Sequence, residues 1–140
     1  MKTKFDDIVK IKKNEIEKIE RNIQKINSSI NMLKEKIEEL NLKLSSFSFP
    51  KQGNFSEFNQ YKILQNVLIK EMDNFKNQIT ILENRKKEIL QEYKKAHIEY
   101  EKMKYLQTEE IKKILKKQKQ KEQIDMDEIA ILLRQKNERK

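Results

Sequence analysis

Residues that could carry out acid–base, nucleophilic or metal chemistry are few in this sequence and are not arranged for it. His97 is the only histidine and the chain has no cysteine, so no zinc–thiolate site or thiol nucleophile is expected. The carboxylate pairs Glu38–Glu39 and Glu109–Glu110 are sequence neighbours, which point to different faces of a helix. No glycine-rich phosphate loop or nucleophile elbow is found. The sequence therefore predicts no enzyme, no cofactor and no metal site.

The strongest charge feature is a basic run in the last third of the chain. It holds six lysines in ten residues, with no acidic residue among them: Lys112, Lys113, Lys116, Lys117, Lys119 and Lys121. Such a run predicts contact with an acidic protein surface or a phosphate backbone. The alternative is the solvated face of a charged helix. Because the run has no arginine and no stacking aromatic side chain, we do not expect nucleic acid as the partner.

An apolar cluster follows the basic run. Its members are Ile124, Met126, Ile129, Ala130, Ile131, Leu132 and Leu133. Contiguous apolar surface that the rest of the chain does not cover usually marks an interaction site. We favour a heterologous partner for this cluster, and self-association as a helical oligomer is the alternative.

Five of the ten aromatic residues lie between positions 47 and 61. Phe47, Phe58 and Tyr61 fit the apolar spacing of the helices described below and are expected to close the end of a coiled coil. Phe49 and Phe55 lie off that spacing. They are the better candidates for a docking contact, with a local plug as the alternative.

The elements that position these groups follow from the composition. The 140 residues include one glycine and one proline, while 39% are charged and 36% are apolar. Two turn-formers are too few for a sandwich, a barrel or an α/β sheet, so an all-α protein with very long helices is predicted. The opening residues lack the apolar core of a signal peptide. The longest apolar run, Ile129–Leu133, is too short for membrane insertion.

Two apolar seams, each with alternating spacings of three and four residues, predict coiled-coil packing. The first seam runs through Ile16, Ile19, Ile23, Ile26, Ile30, Leu33, Ile37, Leu40, Leu44 and Phe47. Counted backward it continues through Lys12, Val9 and Phe5, with Lys12 as its one polar break. The second runs through Phe58, Tyr61, Gln65, Leu68, Met72, Phe75, Ile79, Leu82, Lys86, Ile89, Tyr93, Ala96, Tyr100 and Met103. Beyond Met103 most positions at this spacing are polar, and the apolar seam is lost.

The helical pattern is interrupted once, between the two seams. Pro50 removes Phe49 from the helical region, Gly53 gives the backbone freedom, and Asn54 with Glu57 matches a capping box. The sequence predicts a long antiparallel two-helix coiled-coil hairpin whose second helix is longer and has a C-terminal overhang. The predicted segments are a first helix over 1–49, a turn over 50–54, a second helix over 55–103 and a basic helical extension over 104–140.

A turn near residue 52 sets the expected register, in which the numbers of paired residues sum to roughly 103 to 105. Lys12 then lies opposite Glu88 and Glu92, and Lys86 lies opposite Glu17 and Glu20. Polar seam residues of this kind can fix the register. We favour the simpler interpretation that their aliphatic stems cover the seam while their charges reach water.

Both ends of the chain resemble the flagellar export protein FliJ family of bacterial type III export. The opening stretch Lys4–Lys12 is similar to the family's Phe-containing, Leu/Val-Lys start. The stretch Lys121–Ala130 is similar to its Lys-Glu…Asp-Glu-Ile-Ala ending, which an Arg/Lys tail follows. The chain length and the unequal hairpin also match. The resemblance covers the whole chain, and the Asp-Glu-Ile-Ala at 127–130 is its most specific part.

The resemblance implies a non-enzymatic cytoplasmic component of the export machine, peripheral at the cytoplasmic face of the inner membrane. The implied partners are the hexameric flagellar export ATPase, whose assembly it promotes, the membrane export gate protein and export chaperones. By this analogy the paired helix ends enter the ATPase ring, and the ring-facing candidates are Phe5, Lys112, Lys116, Lys117, Ile129, Leu132 and Leu133. The gate-facing candidates are Phe49 and Phe55.

Two other functions stay open at this point. A generic chaperone or adaptor hairpin of the prefoldin type would hold non-native clients at its helix tips and oligomerise through added strands, for which the sequence has no pattern. A basic nucleic-acid-binding coiled-coil arm would bind with a steep salt dependence set by the number of phosphates contacted.

Overall fold

The computed structural model describes residues 2–47 and 55–138. Helix α1 spans Asp6–Ser46 and helix α2 spans Phe55–Glu138, and no β-strand occurs in the part of the chain described. The two helices pack against each other as an antiparallel coiled-coil hairpin whose second helix is about twice as long as the first, which confirms the predicted fold. The predicted turn, with Phe49 and the cap at Asn54, lies outside the described residues.

The predicted seams form the faces that the helices bury. All seam residues of α1 from Ile16 to Phe47, and all those of α2 from Gln65 to Met103, are buried or half-buried. Phe58 and Tyr61, which begin the second seam, are 44% and 38% exposed. The alternating spacing therefore identified the packed face of each helix correctly, except at the start of α2.

By its packing the chain divides into two compact units, the first of which is Ile16–Lys95. Its most buried cluster joins Leu40 of α1 to Leu68 and Met72 of α2. Half-buried apolar side chains surround that cluster, namely Ile37, Leu44, Phe47 and Phe75. The Phe47 and Tyr61 rings meet edge to face with centroids 6.2 Å apart. This unit contains the most buried residues of the core. The core is thin, because two helices can cover each other along one stripe only.

The second unit contains the residues up to Glu15 and those from Ala96 onward. Here polar contacts join the helices: Lys12 Nζ donates to Glu99 Oε2 at 2.9 Å, and Gln107 Nε2 donates to Asp6 Oδ1 at 2.9 Å. Ile111 and Ile114 are half-buried as well. Helix pairing therefore continues past Met103, and α2 is continuous across the boundary predicted between residues 103 and 104.

The predicted register is wrong by about one heptad. The residue numbers of the contacting pairs sum to 111 for Lys12 with Glu99 and to 113 for Asp6 with Gln107, rather than to about 104. In the other unit the Tyr93 hydroxyl donates to Glu20 Oε1 at 3.4 Å, and this pair also sums to 113. Lys12 thus meets Glu99 instead of Glu92, and Glu20 meets Tyr93 instead of Lys86.

The error has a geometric cause. A slip of seven residues returns every heptad position to the same face, so the apolar seam is equally well buried before and after the slip. Apolar periodicity therefore identifies the packed face but leaves the register open. Lys12 does not resolve the choice by itself, because it meets a glutamate in the predicted register and in the observed one. The bonds of Asp6 to Gln107 and of Glu20 to Tyr93 distinguish the observed register.

A cross-linking experiment tests this register. The chain has no natural cysteine, so the pairs Lys12→Cys/Glu99→Cys and Lys12→Cys/Glu92→Cys can be compared directly with a short bis-maleimide. We expect efficient intramolecular cross-linking for the first pair and little for the second, because position 92 lies about 10 Å further along the helix. Equal cross-linking of both pairs, read from gel mobility and peptide mass, would contradict the register.

Candidate interaction surfaces

The N-terminus of α1 is closed by a capping box. The Thr3 hydroxyl donates to Asp6 Oδ1 at 2.7 Å, the Thr3 N–H donates to Asp6 Oδ2 at 3.0 Å, and the Phe5 N–H donates to Thr3 Oγ1 at 3.2 Å. This reciprocal arrangement satisfies N–H groups that a helix start leaves without an intrahelical acceptor. It fixes the entry of the chain into α1 and the orientation of the Asp6 carboxylate.

The same carboxylate joins the cap to the second helix. Gln107 of α2 donates to Asp6 Oδ1, and Gln107 occupies the next position in the alternating spacing after Met103. Hydrogen bonds from Gln107, which has the largest effect, and from Thr3 stabilise the ionised carboxylate. They lower the pKa of Asp6 from 3.8 to about 2. Asp6 therefore acts both as a helix cap and as a marker of the register.

Acid is expected to weaken this end of the hairpin. Because folding lowers the pKa of Asp6 from 3.8 to about 2, its contribution to stability is fully present above pH 3.8 and is lost as the pH falls through about 2. Asp6→Asn should be less stable than the wild type at neutral pH, and the difference should shrink between about pH 4 and pH 2. Thermal melts followed by circular dichroism across that range measure it. Asp7→Asn, which changes an exposed neighbour, is the control and should keep the wild-type pH dependence.

Lys12, the polar residue of the first seam, connects the two helices. Its ammonium lies 2.9 Å from Glu99 Oε2 and 3.7 Å from Glu15 Oε2. The hydrogen bond to Glu99 raises the pKa of Lys12, and the same bond lowers the pKa of Glu99. Lys12 is half-buried, so its stem covers the seam while its charge has a specific partner. The simpler interpretation therefore holds for the stem of Lys12 but not for its charge, which pairs with Glu99 of the other helix.

The surface best suited to a partner is the end of α2. Every residue from Leu115 to Glu138 is exposed, although this segment is helical throughout. Two different surfaces follow each other along it, the basic run and then the apolar cluster. A single helix with a fully exposed apolar cluster has little stability of its own in water, so this overhang is a candidate docking element.

Three of the predicted ring-facing residues lie in the basic run. Lys112 forms an ion pair with Glu109 at 3.4 Å, one turn back on the same helix. Lys116 and Lys117 are exposed. The side chains of Lys116 and Lys117 are open to solvent, so an acidic partner can reach them without displacing any part of the chain that the structure describes.

The apolar cluster of the overhang forms two faces rather than one. Ile124 and Ile131 lie seven residues apart and share a face, while Met126, Ile129 and Leu133 lie roughly 180° away around the helix. All five side chains are more than half exposed. Leu132 is 63% exposed and lies between the two faces. The predicted ring contacts Ile129 and Leu133 therefore belong to one face, from which Ile124 and Ile131 are excluded.

Phe5, the remaining ring-facing candidate, lies in the second unit next to the capping box. It is half-buried, the Lys4 ammonium lies 5.3 Å from its ring centroid, and its carbonyl accepts the Val9 N–H at 2.9 Å. Part of the ring is thus covered within the chain.

At the other end of α2, Phe55 is 79% exposed. Its neighbours along the helix add a surface that the sequence analysis missed. Ile63, Leu64 and Val67 are 64%, 47% and 45% exposed, and they share one outward face because they are spaced by one, three and four residues. This outer stripe lies off the packed seam. It could have been found from the sequence, as a second set of apolar residues at helical spacing on the same helix. Phe49, predicted beside Phe55, lies outside the described residues.

The histidine and the carboxylates considered for chemistry are not gathered into a site within the described residues. His97 Nε2 lies 3.8 Å from Glu101 Oε1 on the same helix, and its side chain is 49% exposed. Within residues 2–47 and 55–138 no group of three or more His, Asp or Glu side chains is placed to hold a metal ion. Neither described helix contains a segment long and apolar enough to span a membrane.

Comparisons with known proteins agree with the geometry. A family model described as FliJ, the flagellar FliJ protein, matches residues 1–139. Searches of curated proteins and of solved structures return no match. The family match covers both helices and the overhang, so it concerns the entire hairpin rather than one segment of it. The chain therefore belongs to the flagellar FliJ protein family, whose members are non-catalytic components of the flagellar export apparatus.

Proposed function

We propose that this chain is a stalk-like coiled coil that binds the hexameric flagellar export ATPase, promotes its assembly and activity, and links it to the membrane export gate and to export chaperones. On this proposal it works in the cytoplasm, at the cytoplasmic face of the inner membrane. The observation that carries the proposal is the overhang of α2, which is helical and exposed from Leu115 to Glu138.

The order of surfaces along the overhang supports a ring as the partner. The lysines of the basic run come first and the apolar faces come last. An acidic ring entrance would attract the lysines over a long range, and an apolar interior would then bury the face formed by Met126, Ile129 and Leu133. A stiff helix can make both contacts at once, because its surfaces are fixed relative to each other along one axis.

Contact with the export gate is proposed at the opposite end of α2. Phe55 and the outer stripe of Ile63, Leu64 and Val67 are exposed apolar groups on a helical surface. Exposed apolar side chains at fixed helical spacing fit the groove of a partner protein. In this arrangement the two partners bind distant segments of the chain and do not compete for the same residues.

Steady-state ATP hydrolysis by the export ATPase, measured over a concentration series of this protein, tests the proposal. We expect saturable stimulation, accompanied by ring assembly seen in electron micrographs. No stimulation, together with no complex at low salt, would remove the ATPase from the list of partners.

A further inference from the structure

The packed face of α2 continues beyond the end of its intramolecular partner. Extending the alternating spacing from Gln107 gives Glu110, Ile114, Lys117, Lys121, Ile124, Glu128 and Ile131. Ile114 is still half-buried, whereas Ile124 and Ile131 are 58% and 57% exposed. The overhang thus presents the same coiled-coil face that α1 covers elsewhere, with no more of α1 left to cover it.

Charge is distributed along the overhang in two blocks of opposite sign, which place Lys117, Lys121 and Glu128 on this face. Residues 112–121 contain six lysines and no acidic residue, and residues 122–128 contain four acidic residues and no basic residue. A parallel pair of overhangs would place Lys117, Lys121 and Glu128 each beside its own copy, which is unfavourable for all three. An antiparallel pair places the basic block of one copy against the acidic block of the other.

We propose that the overhang of a second copy of this chain covers this face, in an antiparallel two-stranded coiled coil whose two-fold axis passes between residues 122 and 123. In that register Ile114 packs on Ile131 of the second copy, Lys117 pairs with Glu128, and the Lys121 stem covers Ile124. Each pair occurs twice, because a two-fold interface is self-complementary. In this register each residue at one of the two seam positions of the heptad faces a residue at the other seam position in the second copy, as antiparallel coiled coils require.

This interface shares Lys117 with the proposed ATPase contact, but the apolar side chains of the two contacts are different. It uses the face of Ile124 and Ile131, and it leaves the opposite face of Met126, Ile129 and Leu133 exposed. The overlap from Ile114 to Ile131 is about 27 Å long, which is short for a two-stranded coiled coil. Residues 132–138 of the second copy must leave the seam, because the start of α1 already occupies it at Gln107. The dimer is therefore weak and readily separated, and the overhang can be released to another partner.

Charge reversal in the full-length protein tests the interface. By analytical ultracentrifugation at low salt over a concentration series, Lys117→Glu and Glu128→Lys should each weaken self-association at least about tenfold, because each creates two like-charge contacts per dimer. The double variant, which exchanges the charges, should restore association. Lys116→Glu and Glu122→Lys make the same charge changes one position outside the seam. The dissociation constant of the dimer should stay within about twofold of the wild-type value in both.

Three results would overturn the proposal: a wild-type monomer at every concentration, failure of the double variant to recover, or equal effects of the seam and control substitutions. Circular dichroism of each variant shows whether its helicity is intact. The charge-exchanged double variant also controls for misfolding, since a folding defect in the single variants would not be repaired by adding a second substitution.

Cysteine cross-linking tests the orientation. Copies carrying Ile114→Cys are mixed with copies carrying Ile131→Cys, and disulfides are formed under mild oxidation. The antiparallel register predicts the mixed 114–131 disulfide, since two copies of position 114 lie about 25 Å apart along the axis. Predominant 114–114 and 131–131 products would show a parallel pair and would refute the register.

Discussion

Removal of residues 124–140 is expected to abolish binding to the export ATPase while leaving the helicity of the paired segments intact. The deletion removes both apolar faces of the overhang, including Ile129 and Leu133, and it leaves the contacts of Asp6, Lys12 and Glu99 untouched. Burial of large apolar side chains usually supplies most of the free energy of such a contact. The basic run that remains should give only weak, salt-sensitive association.

Binding of the truncated and full-length proteins to the ATPase by calorimetry measures this effect, and far-UV circular dichroism checks the helices. A truncated protein that binds the ATPase at full strength would exclude the overhang as the contact.

Two matched double variants of the full chain refine the assignment. Ile129→Gln/Leu133→Gln should lower ATPase affinity at least about tenfold, and Ile124→Gln/Ile131→Gln should leave it nearly unchanged. The reverse pattern is expected for self-association. These substitutions leave Lys117, which the two proposals share, unchanged. The two proposals can therefore fail separately, because their apolar contacts lie on different faces of one helix.

Much of the fold can be predicted from local features of the sequence, namely its turn-forming residues and its apolar spacing. A single interruption at Pro50 and Gly53 leaves room for two long helices, and the spacing of three and four residues identifies the face that each helix buries. Such a face is a property of one helix alone. Pairing is a property of two helices, and the repeated heptad makes neighbouring registers nearly equal in apolar burial.

The end of the pairing was misplaced for a related reason. Counting apolar residues ends the second seam at Met103, although Gln107 continues the spacing and donates to Asp6. The signal was available in the opening Thr-Lys-Phe-Asp, a capping-box pattern whose carboxylate needs a donor nearby. Polar residues at seam positions carry information on register because their hydrogen bonds are directional, and hydrophobic periodicity discards that information.

The overhang, by contrast, could be predicted from sequence, because unequal helix lengths leave the end of the longer helix without an intramolecular partner. Composition alone does not divide the apolar cluster of the overhang into its two faces. In the structure Ile124 and Ile131 lie on one face, and Met126, Ile129 and Leu133 lie on the other. A helical projection of seven successive residues shows this division, so it is a matter of geometry rather than of composition.

Leu40→Ala is expected to produce the largest loss of stability among single core substitutions, about 2 to 4 kcal/mol in the free energy of unfolding. Leu40 is 7% exposed and belongs to the cluster with Leu68 and Met72. Truncation removes buried methyl groups and leaves a cavity that two helices fill poorly, since each is restrained by its neighbouring turns. Ile16, Ile30 and Ile89 are at least as buried, but Leu40 belongs to the cluster in which buried side chains of both helices pack on one another, so its truncation affects several buried neighbours at once.

Leu42→Ala is the matched control for this substitution. Leu42 lies in the same helix two residues away and is 71% exposed. The exchange has the same chemistry and nearly the same effect on helix propensity, so the difference between the two variants measures packing alone. Urea titration followed by circular dichroism should shift the midpoint markedly for Leu40→Ala and hardly at all for Leu42→Ala. Equal shifts would mean that the stability of α1 comes from its intrinsic helicity, and that the seam between the helices contributes little.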